Sequence, residues 1–265
     1  MATRVDGQGM RTGSGGRFFL NSAFVMVAVV VAGFSTQVAM GRSSFAAPLL
    51  VHAHAVVFMG WVAIYLVQNL LVVRGNRALH RRLGWIAAGW MVAMVVLGVA
   101  VTLAIVRRGQ VPFFFHPLQF LIFDPMTLFT FAGLGAAAIV RRRQTEWHRR
   151  LHFCGMALLL GPAFGRLLPL PLLAPWGFEA TLVPVMLFPL AGVVADLRRS
   201  GSVHPAWGWG MAAMVGSLLV SNAIAYSPVG TAIYAGVTAG TPGAAVDPLA
   251  LVPPPAMGGP VTGRL

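Results

Sequence analysis

The sequence predicts an all-α polytopic transmembrane helix bundle of about seven spans, N-terminus inside and C-terminus outside. Three observations carry that prediction. Only 9% of the 265 residues are charged and 57% are hydrophobic, with a mean hydropathy of +0.78. A soluble domain carries roughly 25% charged residues to cover its wet surface, so this chain is built to face lipid. The apolar residues fall in runs long enough to cross a bilayer. All 19 basic residues are Arg, and nearly all lie between those runs, where basic clusters orient a membrane protein.

The elements follow in order. Residues 1–17, rich in Gly, Ser and Arg, read as a disordered N-terminus. A first span covers about Phe18–Met40, enough at 1.5 Å per residue to cross ~30 Å of hydrocarbon. A signal peptide cleaved near Ser44-Phe45-Ala46 is the rival reading, but the apolar run exceeds the usual ~7–15 residues. Further spans cover about Pro48–Val73, Trp85–Val106, Leu118–Val140 and Leu151–Pro171. The sixth, about Ala180–Ala195, carries Pro184 and Pro189 and should be kinked. A seventh covers about Ala206–Tyr226, and residues 227–265 read as a flexible Gly/Ala/Pro-rich tail. The transmembrane domain is thus 18–226, with its core at 48–171.

Orientation comes from the arginines. Fourteen lie in the N-terminus and in loops 2–3, 4–5 and 6–7, against four (Arg42, Arg107, Arg108, Arg264) on the other side. That asymmetry puts the N-terminus inside and the C-tail outside; the expected location is the bacterial inner membrane. The net charge of +13 is therefore a topology signal, and nucleic acid is not an expected partner. Cys154 is the sole cysteine and lies in an apolar run, which excludes an internal disulfide and a Cys-x-x-Cys metal site.

His-Arg-Arg-Leu occurs at 80–83 and again at 148–151, each time joining two spans on the cytoplasmic side. The offset maps the span 2–3 hairpin onto the span 4–5 hairpin, a duplication about an axis along the membrane normal. The seven histidines then sort into two layers. His52, His54 and His116 lie near the outer face; His80, His148, His152 and His204 lie near the inner one. Along span 2, His54 is followed by Trp61, Tyr65 and Gln68 at +7, +11 and +14, which keeps all four on one helix face. Lipid cannot satisfy their polar groups, so that face should point into the bundle.

Layered imidazoles suit a b-type haem, whose iron takes one or two axial histidines from facing helices and whose propionates take Arg at the membrane edge. The candidate cofactor residues are His54, His80, His148, His152 and Arg166, the four histidines being the candidate ligands of the haem iron. Two of them, His148 and His152, stand one turn apart and suit a transition metal. The plainer reading gives His80, His148 and His204 to a basic interface, and His54 to an interhelical hydrogen bond. Arg166 is costly in a membrane unless paired, and Asp124, at similar depth on span 4, is its simplest partner.

The run Val51-His52-Ala53-His54, Trp61, Gln68-Asn69-Leu70-Leu71 and Leu79-His80-Arg81-Arg82-Leu83-Gly84-Trp85 resembles a widespread group of uncharacterised bacterial multi-pass membrane proteins. Trp147-His148-Arg149-Arg150-Leu151 followed by Arg166 fits the same group, and the resemblance covers roughly residues 30–170. It implies the topology and no activity. A looser likeness is to the transmembrane b-type cytochromes that carry electrons from ascorbate to ferric iron, which share a four-helix core with layered histidines. There the ligands sit within helices in matched pairs, whereas His80 and His116 fall in loops on this reading.

Three functions stay open: a haem-b electron-transfer protein, a transporter or small-ligand-binding protein lined by the same polar stripe, and a non-enzymatic accessory subunit. Beyond the lipid bilayer, the expected partner is a membrane redox protein or a second copy of the chain.

Overall fold

A computed structural model describes residues 14–42 and 46–251. The cleavage-like Ser44-Phe45 step, most of the expected disordered N-terminus and the last part of the tail lie outside these residues. Every described element is helical: α1 Ser14–Ala39, α2 Leu49–Val73, α3 Arg77–Arg107, α4 Pro117–Val140, α5 Thr145–Leu158, α6 Gly161–Leu167, α7 Leu170–Leu173, α8 Gly177–Ser200, α9 Pro205–Ala225 and α10 Pro228–Thr238, with a 3₁₀ turn at Pro242–Ala245. Six of these are long and apolar enough to cross a membrane, namely α1, α2, α3, α4, α8 and α9. The chain is a helical membrane bundle, with Val, Leu and Ile exposed on outer faces where a soluble protein would place charges.

The fifth apolar run is not one helix. It ends as α5 at Leu158 and resumes as α6 and α7. Pro162 has no N–H to donate to Leu158, and its ring clashes with that carbonyl; Pro169 and Pro171 repeat the effect downstream. The broken segment nevertheless runs the length of the bundle. Its start packs against α4, α8 and α9, and α6 packs against α1 and α8. Pro184 and Pro189, by contrast, are accommodated inside a single α8.

Tight turns set the helices at matched depth. Gly75, in the left-handed region at φ 73°, closes the α2–α3 turn, and Asn76 caps α3 by accepting the Leu79 amide at 3.1 Å. Helix α2 packs on α1 and α3, while α4 lies against α3, α5 and α9. One continuous core runs through these helices, with Phe19, Met26, Trp61, Met94, Phe131, Phe153, Trp207 and Met214 among its residues. The arginine-bearing ends gather on one side: Arg149 lies 4.8 Å from the Phe19 ring of α1, and Arg142 lies 6.0 Å from the Trp85 ring of α3.

The segment after Tyr226, expected as a loose tail, folds back as α10 and the 3₁₀ turn onto α3, α4 and α9. Tyr234 is the reason. Its buried ring anchors α10, and its hydroxyl donates to the Gly243 carbonyl at 3.1 Å. Gly243 lies so close to α3 that a Cβ there would stand 2.2 Å from the Val106 carbonyl oxygen. Gly/Ala/Pro composition here serves close packing rather than flexibility.

Candidate functional site

The face of α2 predicted to point inward does so: Trp61 and Tyr65 are buried. Its polar atoms are poorly served. Nδ1 of His54, Nε1 of Trp61 and Oε1 of Gln68 are all buried without a protein partner. Seven-residue steps place them on one stripe spanning about 21 Å of helix. Buried unpartnered polar atoms are costly and call for a specific explanation.

At the arginine-rich end of this stripe the His-Arg-Arg-Leu copies meet. His80 lies in the first turn of α3 and His148 in the first turn of α5, each just after a short connection, so both imidazoles arrive at one depth. Their ring centroids are 6.3 Å apart, and the His152 ring lies 4.7 Å from that of His148. The last four carbonyls of a helix lack intrahelical donors. Ala138, in the final turn of α4, offers such a carbonyl, and His148 Nδ1 sits 2.9 Å from it. A carbonyl only accepts, so Nδ1 carries the proton and Nε2 of neutral His148 keeps a free lone pair. Nδ1 of His80 is buried without a partner. Gln68 lies one turn away, its amide nitrogen 3.6 Å from where a Cβ on Gly84 would stand.

His54 and Arg166 sit at the other end of the bundle. The His54 ring stacks on Phe58 with centroids 4.0 Å apart. Arg166 was expected to pair with Asp124, and among the described residues it forms no ion pair within 4 Å. Its guanidinium donates to the Pro162 carbonyl at 2.8 Å and lies 4.1 Å from the Phe34 ring centroid. The break before α6 explains this, because it turns the Arg166 segment towards α1, where Gln37 reaches the Arg166 carbonyl at 3.5 Å. Asp124, Arg166 and His54 still share an electrostatic neighbourhood. The five candidate residues therefore form two groups, not one: His80, His148 and His152 at one end, His54 and Arg166 at the other. His116 joins neither histidine group, since its Nδ1 lies 3.1 Å from the Tyr226 hydroxyl.

Sequence reasoning missed two polar networks. Arg150 and Asp196, 2% and 3% exposed, form a bidentate pair across α5 and α8, with N–O distances of 2.6–2.9 Å. Asp196 also accepts from Arg199 at 2.7 Å and from the Trp207 indole at 2.8 Å. Glu146 contacts both Arg149 and Arg150. Burial raises the Glu146 carboxyl, but the hydrogen bond from Arg150 and the charges of Arg149, Arg150 and Arg199 hold it below its ordinary value. The signal was available: an acid near the end of an apolar run needs a cation, and Arg150 follows Glu146 by four. At the opposite end, Asn222 donates to Glu179 at 2.8 Å and Gln119 donates to Asn222 at 2.9 Å, joining α4, α8 and α9. No family model, curated protein or solved structure matches the chain.

Proposed function

We propose that this integral membrane protein is an electron-transfer protein of the bacterial inner membrane. On this reading it holds a b-type haem at its arginine-rich end through His80 and His148. The observation that carries the proposal is the meeting of these two imidazoles from different hairpins, with the His148 lone pair fixed by the Ala138 carbonyl. Orientation of a ligating imidazole through its second nitrogen is the usual outer-shell device at metal centres. A metal ion held by protein alone asks for three or four donors, and no group of three that could hold one forms among the described residues. Iron already bound by a porphyrin asks for one or two imidazoles, which is the donor set these residues supply.

When bound, the haem supplies one-electron exchange. His148 and His80 would hold the iron, and His152, one turn further along α5, packs beside His148 with its ring 4.7 Å away. Arg81 and Arg82, adjoining His80, are placed to meet carboxylates at the membrane edge. His54 and Arg166 stand too far along the bundle to serve the same centre. The unpartnered His54, Trp61 and Gln68 atoms favour a second reading, a path for a small polar solute along α2.

A reduced-minus-oxidised absorbance spectrum of the protein, purified after expression with ample haem, separates the two. The first reading expects a Soret band at near-stoichiometric haem; a spectrum without one removes it and leaves the solute path. Reporter fusions test orientation. A periplasm-only reporter should be silent after Arg143 and active at residue 240, and activity after Arg143 would invert the topology.

A further inference from the structure

Three polar side chains meet at the arginine-poor end of the bundle, each from a different helix. Gln119 comes from the first turn of α4, Glu179 from the first turn of α8 and Asn222 from the last turn of α9. Asn222 Nδ2 donates to Glu179 Oε1 at 2.8 Å. Gln119 Nε2 lies 2.9 Å from Asn222 Oδ1 and 3.4 Å from Glu179 Oε1. One turn further out, α4 and α9 are joined again, where His116 Nδ1 lies 3.1 Å from the Tyr226 hydroxyl. Leu118, Phe120 and Phe178, the chain neighbours of Gln119 and Glu179, belong to a buried apolar core.

These hydrogen bonds leave a specific deficit. Among the described residues, Glu179 forms no ion pair within 4 Å. His116 does not supply the missing charge, because burial outweighs the pull of Asp247 and Glu179 and holds its imidazole below its ordinary value. An acid in the first turn of a helix is favoured as the anion. Only an N–H can face an anionic oxygen, which fixes both amides with nitrogen towards Glu179. Two acceptors remain, Glu179 Oε2 and Gln119 Oε1, both buried and without a donor among the described residues. Gln119 is 1% exposed, so bulk water does not reach it. Each leftover oxygen stands about 2.2 Å from its bonded twin in the Gln119–Glu179 contact, which keeps the two close to one another. A water molecule could donate to them but would leave the carboxylate charge uncompensated beside the apolar core.

We propose that Glu179 and Gln119, positioned by Asn222, bind a small monovalent cation, either an alkali-metal ion or a primary ammonium group. The donor set is all oxygen, which selects hard cations over transition metals. One carboxylate balances one positive charge, whereas a divalent ion would leave a net charge beside the apolar core. Glu179 Oε2 supplies the charge and Gln119 Oε1 a neutral ligand, while Asn222 holds both groups by its hydrogen bonds. The site joins α4, α8 and α9 at the end opposite His80 and His148, so it stands whether or not a haem is bound.

The melting temperature of the purified full chain in detergent tests this, measured in sodium, potassium or methylammonium chloride against choline chloride at equal ionic strength. At least one of the small cations should raise it saturably over choline, as a ligand of the folded state does. Stabilisation by sodium or potassium marks a metal site, and stabilisation by methylammonium alone marks a site for an organic amine. A cation-minus-choline infrared difference spectrum should show a carboxylate band that shifts over the same concentration range. Glu179→Gln keeps the shape without the charge and should lose both the increment and the band. Gln119→Leu should weaken the apparent affinity about fivefold, the effect of one lost polar contact. Glu146→Gln, at the arginine-rich end, should keep both signals over its own choline baseline. Should Glu179→Gln not fold, Glu179→Asp carries the comparison: it withdraws the charge by one methylene and should require more cation for the same increment. A melting temperature indifferent to the cation, signals unchanged in Glu179→Gln, or an unaltered concentration dependence in Glu179→Asp overturns the proposal and leaves Glu179 as a clamp between helices.

Discussion

Replacing Arg150 with methionine is expected to destabilise the protein by about 3–5 kcal/mol, the usual cost of leaving one partner of a buried ion pair uncompensated. The size of the effect follows from where the pair sits. Arg150 and Asp196 are almost completely buried, and Asp196 also accepts from the Trp207 indole and the His204 amide. Without Arg150, the carboxylate keeps Arg199 at 2.7 Å, but that side chain is 31% exposed, so solvent screens its charge. The loss falls on a joint between α5, α8 and α9, where Gly192 lets the Trp207 ring approach so closely that a Cβ would stand 2.2 Å away. Adding Asp196→Leu should recover part of the loss, since it removes the stranded charge. Recovery is incomplete because the Trp207 N–H is then unpartnered, at a cost of about 1–3 kcal/mol. Unfolding monitored in detergent across this double-mutant cycle measures the coupling. A cost within the ~0–1 kcal/mol of an exposed pair, or additive effects of the two substitutions, would show that water reaches the joint.

The bundle was legible because lipid imposes simple demands. Each long apolar run must be a helix, since backbone groups have no other partner there; α1, α2, α4 and α9 follow the predicted runs closely, α8 extends beyond its run at both ends, and α3 begins at Arg77, eight residues before the predicted Trp85, so His80, expected in a loop, lies in its first turn. The α2 stripe was legible for the same reason: Trp61 and Tyr65 share a face that lipid cannot serve. The meeting of His80 and His148 was foreshadowed by the repeated His-Arg-Arg-Leu, because equal hairpins place equal residues at equal depth. Three features were not legible. Hydropathy does not register a helix break when the residues on both sides stay apolar, so the Gly161-Pro162 step was read through. Arg166 was assigned to Asp124 on depth alone, but depth leaves the direction of a side chain open, and the break turned it to Phe34. Composition suggested a flexible end after Tyr226, yet Gly and Ala also permit close helix contact, and Tyr234 supplies the anchor that makes the contact worthwhile.

His148→Ala combined with His152→Ala is expected to abolish the Soret band altogether, and His80→Ala to do the same, whereas His54→Ala and Arg166→Gln should leave it in place. The contrast follows from the division of the candidate residues between two ends of the bundle. A ligating imidazole makes a directed contact, so its loss would leave the group unheld unless a neighbour can swing in. His152 is that neighbour, its ring 4.7 Å from His148, which is why the two substitutions are combined. His152→Ala alone should shift the band or the reduction potential while retaining haem, because it removes packing beside a ligand rather than the ligand. Loss of haem through misfolding is distinguished by adding imidazole. Truncation to alanine leaves a cavity of matching shape, and free imidazole at millimolar concentration should restore a six-coordinate spectrum in His148→Ala but do nothing for unfolded protein. Normalisation to membrane-inserted protein keeps the comparison fair. If haem survives both His80→Ala and the combined His148→Ala and His152→Ala variant but is lost in His54→Ala, the cofactor belongs to the opposite end of the bundle, and the convergence of the two His-Arg-Arg-Leu copies serves packing alone.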